Sequence, residues 1–191
     1  MNSYYYLAAQ LPYLTYGQNV PMSSAAFREL AGKHLSPSDA AVLDHCTLEP
    51  DWAVEGEAEA NAASGAATPS EFVGKWKEWE RTLRLNLAKI RAKQLKREGG
   101  LQADVPDFPF DAAGTARAAI AFESPLEAEV FLDKARWDAI ESFQGLDTFS
   151  VTAIHAYMLK LLLMERRMAF NAEEGYAEYK GLYAAILGES K

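Results

Sequence analysis

Three segments of this chain open in the same way, with a hydroxyl residue, a proline, and an acid three places after the hydroxyl. They are Ser36-Pro37-Ser38-Asp39, Thr68-Pro69-Ser70-Glu71 and Ser124-Pro125-Leu126-Glu127. The pattern is that of a helix start. The hydroxyl accepts from the first amides, which have no partner inside the helix. Proline stands at the first helical position, where its missing N–H costs nothing, and the acid reaches back toward the cap. Asn171-Ala172-Glu173-Glu174 repeats the pattern without proline. Strand signals are scarce, with few valines and no alternating β-branched run. The chain is therefore expected to be all-α.

The periodicity predicts helices over about 23–34, 37–46, 69–98, 125–143, 149–171 and 174–187. Stops are expected at Gly99-Gly100, at Gly145 and at Gly188, where glycine takes the left-handed conformation that closes a helix. Tyr4 to Leu11 fits either a strand or a helix, and Pro12 ends it in both cases. The Glu/Ala/Gly stretch between Asp51 and Thr68 has little to bury and reads as a flexible loop. Gly99 to Thr115, with Pro106, Phe108, Pro109 and Phe110, reads as a return segment docked by its aromatics.

The longest uninterrupted element, residues 69–98, would span about 45 Å as a helix. Phe72, Trp76, Trp79, Leu83, Leu87 and Ile90 form one stripe along it. It carries nine basic and four acidic side chains, whereas the rest of the chain carries ten basic and 23 acidic, for a net charge of −8 overall. A basic rod on an acidic body suits an acidic partner, or an attraction between the two parts. The segment 149–171 is expected to be central. Val151, Ile154, Met158, Leu161, Leu162 and Met168 line one side, and Leu159 and Leu163 make it apolar nearly all round; Tyr176, Tyr179, Leu182, Tyr183 and Ile186 would form its antiparallel partner. The expected fold is a compact helical bundle with a long helical arm or hairpin. Residues 1–50 and 116–191 would form the body, 51–68 a flexible loop, and 69–115 the long basic helix with its return.

Chemistry-bearing residues are sparse. His34, Asp44, His45 and Cys46 do not form the closely spaced pairs that a zinc site needs. Cys46 lacks a motif that would bring a histidine to it as a base. With a single cysteine no intramolecular disulfide can form, and a reducing compartment is the default. No glycine-rich phosphate loop is present. Glu123, Glu127, Glu129 and Asp133 read as a solvated helix face, and Lys160 as a side chain that reaches water or pairs with an acid. No enzyme activity, cofactor or metal is expected. The cations Arg81, Arg84, Lys89, Arg91, Lys93, Lys96 and Arg97 are the candidate partner-binding set. Nucleic acid is disfavoured as that partner by the overall acidity and by tryptophans on the buried stripe. The most apolar run, Ala156–Met164, is far short of a membrane span, so a soluble, cytoplasmic protein is expected.

Tyr5-Tyr6-Leu7, Leu11-Pro12, Phe27, Leu35-Ser36 and Asp39 resemble the opening of a bacterial family whose genes accompany V/A-type ATPase operons, in the place where the C-type (d) component would be expected. Trp76, Trp79-Glu80, Leu83-Arg84, Asn86-Leu87 and Arg91-Ala92-Lys93 are similar to that family's central helix, and to a helix of the ATPase C-type (d) components. Leu126-Glu127, Arg136-Trp137, Phe149, Tyr157, Lys160-Leu161, Arg166 and Gly175 are similar to its closing helices. The resemblance implies a non-catalytic part of a rotary ATPase that pumps protons or sodium ions, placed between central stalk and rotor ring and peripheral to the inner membrane. The C-type components are considerably longer, with repeated helical modules, so this chain would supply one or two such modules. A general helical protein–protein adaptor or regulator is the other reading of the same features.

Overall fold

The computed structural model describes residues 4–49, 70–95, 112–170 and Lys180, and the secondary structure of these residues is helical with no strand. Seven helices are described: α1 (Tyr5–Gln10), α2 (Ser24–Gly32), α3 (Pro37–Asp44), α4 (Glu71–Gln94), α5 (Ala112–Ile120), α6 (Pro125–Gln144) and α7 (Val151–Met168). The all-α expectation holds, and the ambiguous N-terminal segment is the helix α1. The flexible loop expected at 51–68, the return segment up to residue 111, the helix expected at 174–187 and the stops at Gly99-Gly100 and Gly188 lie outside the described residues.

Serine hydroxyls cap the starts of α2, α3, α4, α6 and α7. Ser36, Ser70 and Ser124 accept from the amides of Asp39, Val73 and Glu127 at 3.2, 3.4 and 3.4 Å. Ser23 and Ser150 do the same for α2 and α7 without a proline to announce them. The long helix is described from Glu71, two residues after its proline, with Ser70 as the cap. At Ser36 the reciprocal half of the motif is replaced. The Ser36 amide donates to the Tyr4 hydroxyl at 3.2 Å, and that hydroxyl donates to Asp39. Gly145 ends α6 where expected, with a positive φ of 73°, but its ψ of −163° is extended and not left-handed helical.

The core is one continuous cluster in which α7 is central. Ile154, Ala156, Met158, Leu159, Leu161 and Leu163 are all buried, and α2, α3 and α6 lie against this helix. Met168, expected on the same stripe, is instead 62 % exposed at the helix end. Polar ties fix the N-terminal segments onto α7. Glu165 accepts from the Ser24 amide at 2.6 Å, which places a carboxylate at the positive end of α2. Tyr157 donates to the Pro12 carbonyl at 2.9 Å.

Two corrections concern the long helix. Its first five turns do not stand clear of the body as an arm: Phe72, Val73, Trp76, Trp79, Leu83 and Leu87 are buried in the common core, and only the last turns, from Lys89 on, are largely exposed. Burial of side chains this size, worth about 1.5–3 kcal/mol each, outweighs any freedom the helix would gain by detaching. The second correction is α5, a helix that the sequence pattern does not announce. It has no stripe of large apolar residues, and it lies along α4 through Ala112, Ala116 and Ala119 at helical spacing, all buried. Small side chains let two helix backbones approach closely.

Candidate interaction site: an arginine groove beside a buried ion network

Where α4, α6 and α7 meet, the apolar core gives way to a chain of ion pairs. Glu80 is 5 % exposed and stands on the buried face of α4 between Trp76 and Leu83. It accepts from Arg84 Nε at 2.6 Å, one turn along the same helix. Across the interface, Arg136 of α6 grips it with Nε at 3.0 Å and Nη2 at 3.1 Å, a two-pronged guanidinium–carboxylate contact. Arg136 Nη1 donates to Asp133 at 2.9 Å. Asp133 faces Arg166 of α7 at 3.8 Å, and Arg166 donates to Glu129 at 2.8 Å. Three arginines and three carboxylates thus tie three helices together.

Burial sets the electrostatics of this network. Arg136 is 4 % exposed; burial opposes its charge, but Glu80 and Asp133 outweigh that and hold its pKa above the ordinary value. For Asp133 the balance tips the other way. Burial pushes its carboxyl up, against the downward pull of Arg166 and Arg136, and its Oδ2 has no hydrogen-bond partner. The expectation of a solvated acidic face on α6 is therefore corrected. Glu123 and Glu127 are exposed, while Asp133 is buried and Glu129 is half-buried in an ion pair. A carboxylate enters the interior here because two guanidinium groups meet it there.

Outside this network lies a groove of about 230 Å³, lined by Arg84, Arg91, Arg136 and Arg166 with Glu129 at its side and Leu87, Ala88 and Leu132 as an apolar floor. Positions 84, 87, 88 and 91 share one face of α4 by helical spacing, and 129, 132 and 136 share one face of α6. Of the expected partner-binding set, Arg84 and Arg91 line the groove. Arg81, Lys89 and Lys93 are exposed and do not line it, and Lys96 and Arg97 lie outside the described residues. Arg84 is also anchored by donating to the Leu48 carbonyl at 2.9 Å. The guanidinium of Arg91 has no ion-pair partner among the described residues.

The other residues weighed from the sequence take structural places. Cys46 is fully buried, donates to the Val42 carbonyl and has its thiol pushed up to about 12 by burial. His34 packs edge-on against Tyr6, and His45 is exposed. Lys160 pairs with Glu141 at 3.3 Å and sits over the Trp137 ring, with its charge disfavoured by burial. Among the described residues no three His, Cys, Asp or Glu side chains are grouped to hold a metal ion. No described helix is long and apolar enough to cross a membrane.

Sequence reasoning does not assign Glu80, Arg136 or Glu129 to a site. A signal for them exists: Glu80 and Arg136 are charges of opposite sign falling in the buried register of two amphipathic helices, each beside a tryptophan. In comparisons with known proteins, no family model, no curated protein and no solved structure matches this chain.

Proposed function

We propose that this chain is a non-catalytic coupling or accessory component of a V/A-type rotary ATPase, similar in role to the C-type (d) component, that works by contact with the central stalk or rotor ring. The observation that carries the reading is the pairing of a braced three-helix junction with a cationic groove on its outer side. A part that transmits force needs elements that do not slide past one another. The Glu80–Arg136–Asp133–Arg166 chain links α4, α6 and α7 by contacts that cost several kcal/mol to break one-sidedly. A part that docks needs a surface with a definite complement, and the guanidinium groups of Arg84 and Arg91 offer one to an acidic patch. The tyrosine- and tryptophan-bearing segments that resemble the ATPase-operon family point the same way. On this reading the protein is cytoplasmic and held at the inner membrane only through the complex.

Recovery of the tagged protein from native membranes, with bound proteins identified by mass, tests this. ATPase subunits should copurify, and the Arg84→Glu/Arg91→Glu variant should lose them. Recovery of an unrelated set of proteins would favour the general adaptor reading, and retention by the doubly reversed variant would remove the groove from the interface.

A further inference from the structure

The groove already holds a carboxylate. Glu129 reaches from α6 with its Oε2 at 2.8 Å from Arg166 Nη2 and 3.9 Å from Arg136 Nη1, so one oxygen lies between two of the four lining arginines. Its position differs from that of the other two acids of the network. Glu80 and Asp133 have side chains only 7 % and 2 % exposed, enclosed between helices, whereas the Glu129 side chain is 34 % exposed and stands at the edge of the groove. Glu80 is held by two arginines through several hydrogen bonds, and Glu129 is bonded to one. The carboxylate at the opening is thus the least constrained of the three. Rotating it into water uncovers Arg166 beside Arg91, whose guanidinium none of the three carboxylates engages.

We infer that Glu129 is an internal stand-in for a carboxylate of a protein partner, and that the groove binds an acidic side chain which displaces it. The geometry selects a carboxylate on a peptide. The lining guanidinium groups match the carboxylate already seated there, and the floor of Leu87, Ala88 and Leu132 suits the methylene stem of an inserted glutamate. Arg84 and Arg91 lie two turns apart on α4, about 10 Å along the axis, so they can engage successive acids of one segment. This inference deepens the docking role proposed above. It rests on that role for the identity of the partner, while the chemistry of the groove can be measured without it.

The test uses the purified full chain and a fluorescently labelled oligoglutamate peptide, with affinity read by anisotropy at low salt. Arg91→Gln should weaken binding by about tenfold, the worth of one charge-assisted hydrogen bond. It should leave the fold intact, since that side chain has no described partner to lose. Glu129→Gln, which keeps the shape and removes the competing charge, should tighten binding several-fold. Lys89→Gln/Lys93→Gln, two charges removed from α4 outside the groove, should change affinity by less than about twofold, because exposed charges in high dielectric contribute little.

The inference is overturned if the peptide does not bind, or if the lysine control costs as much as Arg91→Gln. It is equally overturned if Glu129→Gln fails to tighten binding, or if inorganic phosphate displaces the peptide at comparable concentration and marks a small-oxyanion site. Peptide binding that follows this pattern, without ATPase subunits copurifying from membranes, would uphold the groove and reject the ATPase assignment. Copurification that survives Arg91→Gln, in a protein that ignores the peptide, would do the reverse.

Discussion

Arg136 is the residue on which the junction of α4, α6 and α7 turns. Its guanidinium donates to two buried carboxylates from different helices, so its removal leaves Glu80 with Arg84 alone and Asp133 with no cation nearer than Arg166 at 3.8 Å. Arg136→Met, which keeps much of the volume, should destabilise the fold by about 3–5 kcal/mol, read as a lowered urea midpoint. Glu80→Gln/Arg136→Met should recover part of that loss, since no charge is then stranded on α4. A double variant no more stable than Arg136→Met would show that packing, not charge, sets the cost. The ion network could not be read from composition, because a buried acid and a surface acid look alike until a partner helix is placed against them. What the chain does disclose is Lys160, whose position in an apolar run demands an acid nearby, and Cys46, whose lack of ligand neighbours points to burial.

The helices themselves are largely legible. For α6 the start and the stop agree with the sequence pattern to within a few residues, and for α4 the start and the buried stripe from Phe72 to Leu87 do so. Legibility fails for α5, a short helix of five alanines with Gly114, Thr115, Arg117 and Ile120, because neither a hydroxyl–proline start nor a stripe of large apolar residues marks it. It fails also for the placement of α4. Its stripe announces a face to bury but not against what, and both a protruding hairpin and a core element satisfy that. The alanines of α5 fit tightly beneath α4, which makes enlargement costly. Ala116→Leu should lower stability by about 1–3 kcal/mol through overpacking, whereas Arg117→Leu on the exposed side of the same helix should change it by less than about 0.5 kcal/mol. Thermal unfolding of the two variants distinguishes a helix packed by its small face from one that merely lies nearby.

For the molecule as a unit, the acid response should be governed by His155. Its Nε2 meets the Asp39 carbonyl of α3 at 3.2 Å, its Nδ1 has no hydrogen-bond partner, and burial holds its pKa below the ordinary value of 6.5 in spite of Asp39. The folded state therefore binds that proton less readily than the unfolded chain does. Stability from this group is complete above pH 6.5 and is lost as the pH falls through the lowered folded value. Asp133 acts in the opposite sense, with a raised pKa whose contribution is present below 3.8 and fades as the pH rises. Urea midpoints measured from about pH 8 downward should decline below 6.5 in the parent and stay flatter in His155→Phe; identical slopes would exclude the histidine as the cause. The stacked pair Trp76 and Trp79, with ring centroids 5.9 Å apart, and Trp137 are all within the interior, at 1, 2 and 4 % exposure. Three of the chain's four indoles thus sit along the seams that join α4 and α6 to the rest. The protein carries a built-in optical gauge there, whose emission colour changes when those seams admit solvent, with no added dye.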